Sequence, residues 1–324
     1  MHAHDHAAVR IECSGCGQRV SLLQPHPFAC PARVPGDDID HVLVRRVDLV
    51  RVAFPPAPEG NPYLAFAELM SPLHRARAAG VPDATLYALV EQLDDAIAHV
   101  DGHGFRFTPL ASAPPLAAAL GAPQIDLFTK DETGNVSGSH KARHLMGVMI
   151  HLRLAEVAGL VDASAPRPPL AIASCGNAAV AAAVVARAAR WPLRVFVPSD
   201  ADPAVLERLH ALSAEVGVCP RDGQPGDPCY RAFRSALTHG ALPLRVQGSD
   251  NGMAVEGGLT LGYELAEQVR RGPGRLDLLV VQVGGGALAS ACLHALRDAV
   301  ALSVLPAMPR LCTVQTASAW PLRR

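Results

Sequence analysis

The chain has 324 residues, 49% hydrophobic, 4% aromatic and 18% charged, with a net charge of −1. That length and apolar share bury a large core and imply two lobes, or two with a small appendage. A charge near zero and so few aromatics argue against a nucleic-acid surface and against an electrostatic grip on an anionic membrane.

Residues 1–8 are polar and histidine-rich (His2, His4, His6), with no apolar signal region, so a disordered leading tail and a cytoplasmic protein are expected. Cys13-Ser-Gly-Cys16, followed by Cys30-Pro, is an incomplete ribbon. A structural zinc takes four ligands, and the position expected for a fourth cysteine holds Arg33. His26 is the candidate substitute; three cysteines alone assign no metal, and residues 1–34 read as a ribbon-like segment.

Residues 35–135 read as a lead-in and the first part of a large lobe. Residues 42–53 alternate in part like a strand, and 55–62 read as a linker. Leu86, Leu89, Val90, Leu93 and Ile97 recur at helical spacing, which predicts an amphipathic helix with Asp94, Asp95 and Asp101 on its solvated face. A strand is expected at 125–129.

Val136-Ser-Gly-Ser-His140-Lys141-Ala-Arg143 opens a segment, 136–248, read as a small lobe. Lys141 is one of two lysines in the chain, the other being Lys130, and it precedes a helical pattern over 144–154. At a helix start, desolvation and the positive end of the dipole both disfavour the ammonium. A neutral amine is a nucleophile that forms a Schiff base with an aldehyde. Taken alone, the segment also fits a solvated lysine.

A strand at 170–173 then meets the turn Ser174-Cys175-Gly176-Asn177 and a helix of small residues. The first amides of such a helix have no internal partners and make an anion site, while Asn177 adds an amide that can donate to a ring oxygen. A plain N-cap turn is the alternative. Strands at 193–197 and 215–219 follow, with surface loops at 163–169 and 221–228.

In 249–324, read as the second part of the large lobe, a strand at 278–283 runs into Gly284-Gly285-Gly286-Ala287 and a helix over 287–299. Glycines after a buried strand let amides approach a phosphate. The string also fits a dinucleotide fingerprint, but no acidic residue stands about 20 positions on to bind a ribose, so a phosphate cup is the better fit and a structural glycine turn the alternative. Strand–helix alternation predicts parallel sheet flanked by helices, with the turns meeting at the carboxyl ends of the strands. The most apolar runs are interrupted by Asn177, Arg187 or Gln282 and fall short of a bilayer span. Eight scattered cysteines make no disulfide scaffold, and Cys175 reads as a packing residue.

Together, the lysine segment, the Ser-Cys-Gly-Asn turn and the triple-glycine loop resemble fold-type II pyridoxal-phosphate enzymes, the tryptophan synthase beta superfamily. The resemblance covers roughly residues 105–320. Phe107-Thr-Pro-Leu110 and Lys130-Asp-Glu132 add to it, and Glu256-Gly-Gly-Leu-Thr260 resembles a helix start of threonine synthases. It implies an α/β, two-lobed fold of parallel sheets with flanking helices, tryptophan synthase beta-like, beside the small cysteine-containing segment. It implies pyridoxal 5'-phosphate as cofactor, with Lys141 carrying the Schiff base and then moving protons. Gly284, Gly285, Gly286 and Ala287 are implied to hold the phosphate, Asn177 the ring oxygen, and Ser174 and Gly176 the substrate carboxylate. His140 is implied either to meet the phosphate as a charge-assisted donor or to pack.

The activity implied is that of a threonine synthase-like lyase or synthase, acting by β/γ elimination or replacement on a small amino acid. Threonine/serine dehydratase (ammonia-lyase) and a non-catalytic paralogue that binds a ligand or partner are the other readings. Ala142 departs from the aspartate that many threonine synthases place there. A homodimer is expected, and no nucleic-acid or membrane partner. Residues 314–324 resemble a stretch well inside the family's catalytic domain, so the chain reads as truncated, without the serine or threonine that contacts the pyridine nitrogen.

Overall fold

A computed structural model describes residues 7–34, 36–317 and 322. The histidine-rich start and most of the stretch after Thr316 lie outside the described residues.

The chain begins with a three-stranded antiparallel sheet of order β2-β1-β3, formed by β1 (Val9–Cys13), β2 (Arg19–Val20) and β3 (Leu43–Val47). Alternation places Val9, Ile11 and Cys13 inside. The strand expected over 42–53 stops at Val47. Helices α1 (Pro62–Ala65), α2 (Ser71–Ala78) and α3 (Asp83–Asp101) follow. α3 buries Leu86, Leu89, Val90, Leu93 and Ile97, as their spacing predicts.

Two of its aspartates are not solvated, contrary to expectation. Asp94 Oδ1 accepts the Phe105 amide at 2.7 Å, and Asp101 Oδ2 accepts the Ser137 amide at 2.7 Å. Each satisfies a backbone donor that α3 would otherwise cover. Asp95 alone of the three is exposed.

β4 (Leu110–Ser112), α4 (Pro114–Ala119) and β5 (Phe128–Lys130) come next. The strand expected at 125–129 is shorter and pairs antiparallel with β4, because the chain doubles back and Ala113 N donates to Leu127 O at 2.8 Å. Parallel alternation starts later. It comprises α5 (Lys141–Val157), β6 (Leu170–Ala173), α6 (Asn177–Ala188), β7 (Leu193–Pro198), α7 (Pro203–Ala211), β8 (Glu215–Cys219), α8 (Pro228–Thr238) and β9 (Leu242–Pro243). The sheet runs β8-β7-β6-β9, all parallel. Finally α9 (Met253–Arg271), β10 (Leu278–Gln282), α10 (Ala287–Ala301) and β11 (Arg310–Val314) give a second parallel pair, β10–β11. The α/β architecture with parallel sheet and flanking helices is the one expected.

α5 and α9 form the centre. Every residue of α5 from Ala142 to Leu152 is buried, and so is every residue of α9 from Met253 to Glu267. Helices buried all round need small residues where they cross. A Cβ added to Gly147 of α5 would stand 2.6 Å from the Gly257 Cα of α9, so only glycine fits. No helix among the described residues is long and apolar enough to cross a membrane.

Candidate active site

Three helices begin around one cavity of about 320 Å³. Its wall includes His140 and Lys141 at the head of α5, Ser174 and Asn177 at the β6–α6 turn, and Gly284, Gly285, Gly286 and Ala287 at the β10–α10 turn. The two strand–turn–helix units belong to different sheets, so only the tertiary fold brings them together. Of the residues singled out from the sequence, Gly176 alone is not in the wall; it is the N-cap residue of α6.

None of the three helices has a side-chain cap: His140, Gly176 and Gly286 occupy the cap positions without such a bond. The first amides of α6 and α10 are therefore left for other acceptors, while Lys141 N at the head of α5 reaches Ser139 Oγ at 3.4 Å, and three positive dipole ends converge. Gly286 has φ +84°, which accounts for glycine there. Gly284 has no such need, and a Cβ built on it meets nothing within 4 Å. No described residue requires that position to be glycine, which leaves the approach to its amide open from the cavity.

The amine of Lys141 is half-buried, and burial alone holds it below the usual lysine range, with no carboxylate to oppose the shift. Lys130 differs. Its Nζ lies 2.5 Å from Glu264 Oε1 and 2.9 Å from Gln268 Oε1, so its charge is committed to the core. Lys141 is thus the one lysine available as a nucleophile.

Beside it, burial together with the charges of Lys141 and Arg143 pushes His140 down to about 4. Its Nε2 is buried and without a partner among the described residues. Of the two roles implied for His140, a charge-assisted donor or a packed residue, burial and positive neighbours disfavour the imidazolium that the first requires. One turn on, His144 Nδ1 donates to Ala254 O at 2.7 Å, its Nε2 has no partner among the described residues, and burial pushes it down to about 3.

The lysine is aimed by residues that sequence reasoning did not assign. Arg143, fully buried, reaches Glu132 with Nε at 2.8 Å and Nη2 at 2.9 Å, and Glu264 with Nη1 at 2.9 Å. The Thr108 amide also donates to Glu264, and Thr108 Oγ1 donates to Glu132 at 2.5 Å. The Thr-Pro-Leu and Lys-Asp-Glu segments therefore meet as one buried charge network around the first turn of α5. From α3, Asp101 holds the Ser137 amide of the loop before Lys141, where Ser137 has φ 57°. Arg245, Gln247 and Gln282 also line the cavity. Arg245 and Gln247 stand in a loop that carries no motif, so no signal marked them; Arg245 stacks 4.7 Å over Tyr230 and pairs with Asp250 at 3.2 Å.

A family model described as "Pyridoxal-phosphate dependent enzyme" matches residues 103–324. The chain belongs to that family. It is 29% identical over 183 residues to "Serine dehydratase-like" of Rattus norvegicus, covering 56% of this chain and 50% of the relative. It is 28% identical over 174 residues to "L-serine dehydratase" of Saccharomyces cerevisiae, covering 52% and 50%. The chain thus spans about half the length of these curated relatives. Among solved structures, it superimposes on diaminopropionate ammonia lyase of Escherichia coli with a TM-score of 0.57 at 20% identity, over 74% of this chain and 65% of that one. That likeness supports the shared fold.

The family's cofactor is pyridoxal phosphate, and the cavity has the donors that group needs: an aldehyde-reactive amine, uncapped helix amides and an orphaned imidazole nitrogen. Its volume falls at the lower end of ordinary ligand pockets, roughly 300–1,000 Å³.

Proposed function

We propose that the protein is a pyridoxal-phosphate-dependent lyase that removes water from a small hydroxy amino acid, releasing ammonia and a 2-oxo acid. The observation that carries this is the wall shared by the Lys141 amine and the 284–287 amides. The cofactor, when bound, supplies a ring that takes up the electron pair left at the α carbon. Lys141, its pKa lowered by burial, would be the nucleophile that grips the cofactor's carbonyl carbon. Its amine would accept the α proton and, as an ammonium, supply the proton that leaves with the β hydroxyl. The amides of Gly284, Gly285, Gly286 and Ala287 hold the phosphate at the head of α10. Asn177 donates to the ring oxygen, Ser174 and the Gly176 amide orient the substrate carboxylate, and His140 offers a neutral N–H beside the phosphate. On this reading residues 136–248 are the small lobe, 35–135 with 249–324 the large one, and the setting is cytoplasmic, which the eight free cysteines support.

The dehydratase reading is preferred to the threonine synthase-like one. The relatives' names support it, and so does the environment of the segment that carried the other likeness. Glu256 accepts from Ser71 N at 2.5 Å and from Ser71 Oγ at 2.6 Å, and Thr260 Oγ1 donates to Gly257 O at 2.9 Å, all in the core. Neither residue lines the cavity.

The test is product analysis of the full chain with pyridoxal phosphate and three substrates supplied separately: L-serine, L-threonine and O-phosphohomoserine. Ammonia and a 2-oxo acid from either hydroxy amino acid are expected. Threonine and phosphate from O-phosphohomoserine would restore the synthase reading. Cofactor binding without turnover of any of the three would favour the non-catalytic paralogue.

A further inference from the structure

The amino-terminal sheet holds a second constellation, unconnected with the cavity. Cys13 ends β1, Cys16 stands in the turn after it, Cys30 comes from the following loop and His41 from the approach to β3. One ligand atom from each lies within 4.8 Å of all the others. Cys13 Sγ is 3.4 Å from His41 Nδ1, and Cys16 Sγ is 3.7 Å from Cys30 Sγ. A tetrahedral zinc with bonds of about 2.3 Å to sulfur and 2.0–2.1 Å to nitrogen has edges of roughly 3.8 Å between sulfurs and about 3.6 Å between sulfur and nitrogen. Both distances match those edges within a few tenths of an ångström. A Cys16–Cys30 disulfide would instead need about 2.05 Å between the sulfurs.

The surroundings are built for a metal as well. His41 Nε2 lies 3.1 Å from Asp37 Oδ2, and the Val34 amide donates to that same oxygen at 3.2 Å. A carboxylate on the far nitrogen fixes the imidazole with Nδ1 toward the cluster, the usual outer partner of a metal-bound histidine. Gly17 N donates to Cys13 O at 3.0 Å, Cys13 N to Gln18 O at 2.9 Å and Ser14 N to Val42 O at 2.8 Å, closing the turn that presents the first two sulfurs. Cys13, Cys30 and His41 are buried, while Cys16 is exposed and leaves the cluster open to solvent on one side. His26, the substitute expected from the sequence, stacks on Phe28 and is not part of the cluster.

We propose that Cys13, Cys16, Cys30 and His41 bind one structural zinc ion, with Asp37 orienting the histidine. Three thiolates and an imidazole in a closed tetrahedron suit that ion and leave no position for a substrate. The metal locks the ribbon against the body: Gly252 N donates to Phe28 O at 2.9 Å, and Arg33 Nη1 donates to Ser249 O at 3.0 Å, both just ahead of α9.

The test is metal analysis of the purified full chain, followed by replacement of the bound ion with cobalt(II). One zinc per chain is expected, and cobalt should give a thiolate charge-transfer band with the intense visible bands of a tetrahedral site. Asp37→Asn, which spares all four ligands, should weaken zinc binding about 10–100-fold in a chelator competition. The proposal is overturned by cobalt spectra without a thiolate band, or by mass spectrometry showing Cys16 joined to Cys30. None of these readouts depends on pyridoxal phosphate or on turnover, so they succeed or fail independently of the catalytic reading.

Discussion

Gly147 and Gly257 face each other where α5 crosses α9, with no room between the backbones for a methyl group, since a Cβ on Gly147 would lie 2.6 Å from the Gly257 Cα. This contact sets how deep α5 sits, and therefore where Lys141 at its head stands in the cavity.

Gly147→Ala is expected to force the two helices apart. Overpacking costs about 1–3 kcal/mol, against roughly 0.5–1 kcal/mol gained in helix propensity. A fall in the urea midpoint together with weaker pyridoxal-phosphate binding is expected. Unchanged binding would show that α5 can shift without moving Lys141.

Arg143 should behave as a positioning residue. Arg143→Met leaves Glu132 and Glu264 buried without their shared partner, and breaking a buried pair in this way costs about 3–5 kcal/mol. A double variant with Glu132→Gln should recover part of that loss. A cycle with no coupling between the two positions would contradict the network.

Gly284→Asp separates binding from folding. A Cβ at this position meets no atom within 4 Å, so thermal stability should change by less than about 0.5 kcal/mol. A carboxylate beside the 284–287 amides repels an anion, so affinity for pyridoxal phosphate should fall at least tenfold. Equal affinity would remove the phosphate role from this turn.

Acid should destabilise the fold in two overlapping windows. Burial raises the Glu256 carboxyl, but His151, Arg45 and Ser71 outweigh it and hold it at about 2. Its contribution is complete above the ordinary value of 4.5 and is lost as pH falls through about 2. His144 is held at about 3, so between its ordinary 6.5 and about 3 the unfolded chain takes up a proton that the folded chain does not. His144 lowers stability as pH falls below about 6.5, and Glu256 adds to the loss below about 4.5. Urea midpoints measured from about pH 7 to about pH 2.5 should decline, and Glu256→Gln should flatten the curve below about pH 4.5. A constant midpoint across that range would contradict both assignments.

What the sequence made legible was local. The β6–α6 and β10–α10 turns announce themselves because an apolar run, a tight small-residue turn and a helix lie within a dozen positions. The face of α3 was readable from spacing alone. The rest depended on partners distant in the chain. Glu264 joins Lys130 and Arg143 across more than a hundred residues, so Lys130-Asp-Glu132, which added to the resemblance without a role, is a brace for the site. Asp101 looked solvated because nothing local marks the Ser137 amide as its partner. His41 escaped because its approach to Cys13 is made by the pairing of β1 with β3, which no Cys-x-x-Cys spacing encodes. The antiparallel β4–β5 pair escaped because an apolar strand carries no sign of its partner's direction.

The central claim is that one lysine amine, its pKa lowered by burial, and one cup of glycine amides grip the same molecule. Its most direct measurement is a pyridoxal-phosphate titration of the full chain, followed by absorbance above the protein's own aromatic band, beside the Lys141→Ala variant. The account predicts one saturable chromophore per chain in the wild type, forming at lower pH than with an ordinary lysine, and none in the variant. A wild-type protein that stays colourless, or a variant that colours equally, would contradict it.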